Sequence, residues 1–371
     1  MTRRFRQTMK ATFFGDFLYN QVVPSDHFLM QLDKTVDWEP FTAMLVLGYK
    51  GKAERGEVPY QPVMILKMLL LAYLYNMSER QTEDFCTYYL PAKAFVGLGV
   101  TDPAPDHSTL CLFRQRLFAH GGAAAYAQLF DLIIAQAKAA GVAFGKVQLV
   151  DAVHTVADVN VEKDRKRHEQ GKPLADPDAE IVNKGVREVT KADLTTQKEK
   201  VTHRGYKTHV SMDAETGLVT SIKPTMGNVA DNTQMPDLVE HDAEMGIPAH
   251  TYAADRAYDD GELHSMLEAR GKHSAIKLKH YRTEKKDQNR QPWLDMLADA
   301  FYQAGLTLRY RIERKFGEAK AWHHFGRCRY RGLDRFKIQA YLTFLALNLK
   351  RMVNLLTGTR MRPLAKHLKS A

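Results

Sequence analysis

Gly145-Lys146-Val147-Gln148-Leu149-Val150-Asp151 is the stretch on which the fold turns. Before it, apolar residues recur at helical spacing. After it, short apolar runs alternate with helical stretches, the pattern of an α/β domain. Lys146 to Val150 reads as a buried strand, and an aspartate stands where it ends.

Downstream, Tyr206–Met212 and Leu218–Ile222 read as a hairpin around Glu215-Thr216-Gly217. A helix follows from Asn232, then a strand from His250 to Ala254 that ends at Asp255. Gly261–Ala269 reads as a helix and Ser274–Leu278 as a fifth strand. Thr307–His323 and the apolar Gln339–Leu356 complete the pattern as two helices. The expectation over 146–356 is therefore a mixed five-stranded sheet flanked by helices, with a basic tail over 357–371. Between the first two strands, Asn160–Arg204 is polar and charge-dense. A connection of that length reads either as a solvated loop or as an arm that contacts another molecule.

Upstream, residues 1–145 read as an all-helical domain. Pro62 suits a first helical turn, and an almost continuous apolar helix follows it to Tyr75, interrupted by Lys67. Ser78 with Gln81 resembles a capping box for a helix to Tyr89. Pro91, Gly97 and Gly99 break the pattern. Ser108 or Thr109 then caps a helix through Leu117 that displays Arg114 and Arg116, and a last helix runs from Gly122 to Ala140. Two short helices across a glycine-containing turn suggest a helix-turn-helix, a topology that serves DNA docking and plain helical packing alike.

The 371 residues exceed one ordinary domain and fit two. Hydrophobic residues at 44% and charged residues at 26% mark a globular chain, and no period repeats. A net charge of +10 and a pI near 9.3 suit a polyanionic partner. After Asp334 no acid occurs, whereas Arg335, Lys337, Lys350, Arg351, Arg360, Arg362, Lys366 and Lys369 do. Arg3, Arg4, Arg6 and Lys10 add charge at the N-terminus. The three cysteines, Cys86, Cys111 and Cys328, form no CxxC pair, and His323, His324 and Cys328 lack a second pair of zinc ligands. No signal segment or bilayer-length apolar stretch is evident, so the expectation is a cytoplasmic protein with no membrane partner.

Phosphodiester chemistry requires an activated oxygen beside a charged phosphate, and two metal ions about 3.5–4 Å apart activate the attacking oxygen and stabilise the leaving one. Magnesium takes carboxylates, waters and phosphates. Asp151 and Asp255, ending two strands, supply carboxylates at one sheet edge if those strands are neighbours; singly, each is equally an acid that starts a turn. On the helix Arg309-Tyr310-Arg311-Ile312-Glu313-Arg314-Lys315-Phe316-Gly317-Glu318-Ala319-Lys320, a turn of about 100° per residue gathers Arg309, Glu313 and Lys320 within about 60°. They border an apolar arc of Leu308, Ile312, Phe316 and Ala319, with Glu318 on the far side. Glu313 is thus either the third acid or half of an i,i+4 pair with Arg309.

Together with further motifs, these residues resemble the DDE transposases of bacterial insertion sequences, specifically the insertion-sequence-five group. Val150-Asp151-Ala152 is similar to the first Asp motif. Tyr206-Lys207 with His209, Asp213 and Gly217-Leu218 is similar to the hairpin after it. Gly227-Asn228 with Asp231, Ala254-Asp255 with Tyr258, and Arg309, Glu313 and Lys320 keep the family's order and spacing. Pro62 to Lys67, Tyr75 to Ser78 and Pro105 to Thr109 leading to Phe113-Arg114 resemble its helical domain. Arg329-Tyr330-Arg331-Gly332-Leu333 and Leu347 to Lys350 resemble its closing segments.

The resemblance implies an RNase H-like catalytic domain with Asp151, Asp255 and Glu313 holding two magnesium ions, manganese being the alternative. It implies phosphate contacts from Arg309 and Lys320, and makes Arg114, Arg116, Arg329 and Arg331 candidate DNA-binding residues. The implied partners are double-stranded DNA, both terminal inverted repeats and target, and a second copy in a homodimer. The implied activity is cut-and-paste strand cleavage and transfer. Two alternatives remain: a nuclease of the same fold without strand transfer, and a DNA-binding regulator with dead chemistry. Val153 stands where a hydroxyl residue is common, Ala257 where Gly is usual, and Leu306 where related groups carry Tyr. None of the three is a metal ligand.

Overall fold

The computed structural model describes residues 5–6, 13–49, 58–190 and 196–362. Arg3, Arg4, Lys10, Lys366 and Lys369 lie outside them. The chain divides into two compact units, Met1–Ala143 with Tyr341–Ala371, and Phe144–Ala340.

The first unit is helical. It contains α1 (Phe13–Val22), α2 (Phe28–Thr35), α3 (Glu39–Val46), α4 (Pro62–Leu74), α5 (Glu79–Tyr88), α6 (Leu90–Val96), α7 (His107–Gly121) and α8 (Ala124–Ala139). In α4 every residue from Met64 to Leu74 is buried, as expected of a helix apolar all round. Lys67, the one interruption, meets Asp33 at 2.5 Å and lies over the Trp38 ring. Ser78 and Gln81 form the capping box of α5. Two expectations change here. Pro91 opens α6 rather than breaking the chain, because a proline in a first turn forfeits no helical hydrogen bond. Asp106, not Ser108 or Thr109, caps α7, accepting from both of their backbone N–H groups; its negative charge suits a helix N-terminus. α6 and a link from Gly97 to Asp106 separate α5 from α7, and α7 meets α8 across Gly122 and Ala123 with a bend of 95°.

The second unit contains β1 (Val147–Val156), α9 (Val161–Glu169), β2 (Glu180–Thr190), β3 (Thr196–Asp213), β4 (Val219–Met226), α10 (Met235–Glu244), β5 (Thr251–Ala254), α11 (Gly261–Ala269), β6 (His273–Ile276), α12 (Gln291–Ala298), α13 (Ala300–Leu308) and α14 (Tyr310–His323). The last helix, α15 (Leu333–Thr357), begins here, six residues before the expected Gln339, and its residues from Tyr341 belong to the helical unit. The sheet order is β2-β3-β1-β5-β6, with β4 on β3. Without β2 it reads β4-β3-β1-β5-β6: three antiparallel strands, then two parallel to β1. That is the RNase H-like arrangement.

The described residues hold six strands rather than five. The extra strand, β2, comes from the segment read as a polar connection, as does α9. Among the described residues β2 pairs only with β3, and its sequence carries no apolar alternation. Where β3 passes β1, Gly205 leaves no room for a side chain: a Cβ there would lie 2.1 Å from the Thr155 carbonyl oxygen. The helix expected over Thr307–His323 is two helices meeting at Arg309. α13 lies on β5 and β6, with Gly305 against Ala275 and Ala253. Among the described residues no single helix is long and apolar enough to cross a membrane; α7 with α8 passes by length and composition only, bent by 95°.

Candidate active site

β1 and β5 run parallel with Val150 beside Ala254, so Asp151 and Asp255 follow paired residues at the same end of neighbouring strands. Adjacent strands lie about 4.8 Å apart, which brings the two acids side by side. β1 itself continues to Val156 along β3, so Asp151 is the first residue beyond the β5 pairing rather than the end of its strand. Each acid is fixed by a local hydrogen bond: Asp151 Oδ1 accepts from Ala152 N–H and Asp255 Oδ1 from Ala257 N–H, both at 2.8 Å. Burial pushes the Asp151 carboxyl up to about 7; the Ala152 N–H and Arg309 oppose this, and the charges of Asp255 and Asp231 add to it.

Glu313 stands on the first turn of α14, beside the buried face of Ile312, Phe316 and Ala319 that its sequence pattern anticipates. Its side chain is 57% exposed. Arg309 joins it to the aspartates: one guanidinium nitrogen lies 2.9 Å from Glu313 Oε1 and another 3.8 Å from Asp151 Oδ2. The i,i+4 ion pair between Arg309 and Glu313 is therefore present, and the same arginine also reaches the strand that carries Asp151.

The sequence reading saw Asp231, Lys207, His209 and Tyr258 only as motif positions. In the folded chain they surround the acids. Lys207 Nζ donates to Asp231 at 2.9 Å, and His209 Nδ1 lies 3.7 Å from the same carboxylate. Burial lowers His209 to about 4, so its ring is neutral; its Nε2 meets Thr225 Oγ1. Tyr258 is fully buried, and its hydroxyl has no hydrogen-bond partner among the described residues. Burial, with the charges of Asp151, Asp231 and Asp255 close by, holds that phenol neutral.

Behind Asp255, the loop is pinned by Asp259. Its buried carboxylate accepts from Lys279 N–H at 2.7 Å and from His264 Nε2 at 2.9 Å, and pairs with Arg282 Nε at 2.8 Å. Burial alone would raise this carboxyl, but those donors hold it below its ordinary value. Ser274 meets the other nitrogen of His264, tying the loop to β6.

The remaining candidates are dispersed. Lys320 is exposed on α14. Arg331 is exposed, and its Nε donates to the Asp158 carbonyl, while Arg329 receives its backbone support from Gln339. In the helical unit, Arg114 is held by Glu79 of α5, whereas Arg116 is exposed over the Tyr49 ring. Another gathering of ligand-type side chains, Glu83, Asp106 and His107, has its donor atoms within 4.8 Å of one another. Two of the three already serve the start of α7.

The first group suits a divalent ion. Its donors are carboxylate oxygens, the set a hard cation takes. A carboxyl driven up by burial, and further by its neighbours' charges, is relieved by a positive charge beside it.

An RNase H-like sheet with two acids just past the same end of the β1–β5 pairing suits a class, the metal-dependent enzymes that break phosphodiester bonds. Two family descriptions match the chain, Transposase domain (DUF772) over residues 17–116 and Transposase DDE domain over residues 164–349. The chain belongs to the transposase DDE family; it is a DNA transposase of the insertion-sequence type and depends on a divalent metal. The DDE match includes Asp255 and Glu313 and starts after Asp151. Among solved structures the chain is similar to the piggyBac transposase synaptic complex with hairpin DNA, at 10% identity, covering 100% of this chain and 87% of that one with a TM-score of 0.36. It is also similar to the Mos1 transposase paired-end complex with left transposon end, at 11% identity, covering 74% and 83%, with a TM-score of 0.20.

Proposed function

We propose that Asp151, Asp255 and Glu313 are the catalytic acids and that they hold two magnesium ions, with manganese able to substitute. The observation that carries this is the Arg309 guanidinium, which reaches both Asp151 and Glu313 and so draws the helix acid toward the strand acids. The ions would activate the attacking oxygen and stabilise the leaving one. The chain's own residues do the rest. Ala152 and Ala257 N–H groups orient Asp151 and Asp255. Arg309 and Lys320 bind the DNA phosphates flanking the scissile bond, the arginine through two nitrogens and the lysine as a point charge.

On this reading the protein binds the terminal inverted repeats of its own element, hydrolyses the transposon end to free a 3′-hydroxyl, and joins that hydroxyl to target DNA. Arg116 and the helical domain over 1–145 contribute to end recognition, with Arg114 held back by Glu79; Arg329 and Arg331 contact DNA beside the catalytic domain over 146–356. Two ends are processed by a homodimer in the bacterial cytoplasm, on the nucleoid. The test is incubation of purified protein with Mg²⁺ and the DNA that flanks its own gene, together with a target plasmid. End-specific cleavage with joined product is the expected result. Cleavage without joining identifies a nuclease, and binding without cleavage a regulator.

A further inference from the structure

The segment between β1 and β3 is an addition to the five-strand core, and it is more firmly built than a solvated loop requires. Asp164 of α9 turns inward, accepts from Ala175 N–H and pairs with Arg204 of β3 at 2.8 Å. Arg204 also donates to the carbonyls of Ala179 and Asp176. The buried Asp176 carboxylate accepts from the Tyr206 hydroxyl at 2.7 Å and from Gly332 N–H, and Asp178 accepts from Leu333 N–H. These bonds lock α9, the base of the β2–β3 ribbon and the turn before α15 into one block at the far end of β1.

The outer surface of that block is basic. α9 exposes Lys163, Arg165, Lys166 and Arg167, and Lys163, Lys166 and Arg167 share one helix face. Because Asp164 is turned in, the acids that α9 exposes are Glu162 and Glu169. The turn before α15 adds exposed Arg331, and the first turn of α15 adds exposed Arg335. The β2–β3 ribbon springs from the same base, paired strand to strand from Glu180 opposite Gly205 to Thr190 opposite Thr196. A two-stranded ribbon is one of the elements that the DNA major groove admits. β1 connects the block to the acids: Val156 lies five residues beyond Asp151, about 17 Å along an extended strand. That is about five base-pair steps of duplex.

We propose that this block is a docking surface for duplex DNA, gripping phosphates about five base pairs from the bond to be cut. The inference rests on the transposase reading above. Its test uses the full-length chain with Lys163, Arg165 and Lys166 all replaced by Ala, exposed positions at which folding is not at stake. Affinity for a duplex of the gene-flanking DNA is measured over a range of salt concentrations, with self-association followed by sedimentation. The variant is expected to bind roughly tenfold more weakly and to lose about 0.9 of salt slope for each phosphate contact removed. Wild-type binding with unchanged affinity and slope in the variant overturns the proposal. Weakened self-association with DNA binding intact also overturns it, and assigns the surface to a second copy. Failure of the wild type to bind any duplex defeats the transposase reading itself.

Discussion

Replacing Asp151 by Asn makes the metal-free protein more stable at neutral pH. In the fold the carboxyl is raised from 3.8 to about 7 by burial and by the charges of Asp255 and Asp231. A raised acid binds its proton more tightly folded than unfolded. Below about pH 4 both states are protonated and the site costs nothing. Between about 4 and 7 the unfolded chain ionises first, so stability falls as pH rises, and above 7 the full penalty applies. About three pH units at 1.36 kcal/mol each set a ceiling of about 4 kcal/mol. The side chain is 20% exposed, and partial solvation brings the expected gain to about 2 kcal/mol. For a unit of this size that raises Tm by roughly 4–8 °C. Thermal unfolding of wild type and Asp151→Asn in a chelator, at pH 7.5 and pH 4.5, measures it. The variant unfolds at the higher temperature at pH 7.5, the gap closes toward pH 4.5, and divalent metal narrows it by stabilising wild type alone. A variant less stable at pH 7.5, or a gap independent of pH, refutes the reasoning that burial, with the neighbouring acids, penalises the ionised Asp151.

Two further substitutions test the scaffold. Gly205→Ala would put a Cβ 2.1 Å from the Thr155 carbonyl oxygen, and β1 and β3 must part to admit it; a loss of about 3 kcal/mol is expected in chemical denaturation. Asp259→Ala strips Arg282 and His264 of a buried partner and frees the loop behind Asp255. It should cost about 3–5 kcal/mol in the same assay.

Much of the candidate site is legible in the sequence, and the reasons are local. Asp255 follows a run of buried strand residues, Thr251 to Ala254, and its sequence says as much. Glu313 was selected by helical angle, and the buried Ile312, Phe316 and Ala319 beside it bear that geometry out. The gaps arise where a residue's meaning depends on a distant partner. Arg114 looked displayed for DNA, yet Glu79, on another helix, holds it. Lys207 and His209 alternate along β3 so that both face Asp231, a convergence that depends on the chain's return through β4. β2 escaped notice because strand pairing is a backbone property, and periodicity detects only strands that bury a face.

Asp151, Asp255 and Glu313 are proposed to act as one catalytic set. Its most direct test compares wild type with Glu313→Gln on gene-flanking duplex in Mg²⁺, following cleavage and binding separately. Glu313 is exposed, so the substitution leaves the fold intact. Duplex binding is expected within a few-fold of wild type and cleavage reduced by roughly a thousandfold or more, since a metal-binding acid stabilises charge formed in the transition state. Cleavage at the wild-type rate by Glu313→Gln would contradict it, leaving Arg309 and Glu313 as an ordinary surface ion pair.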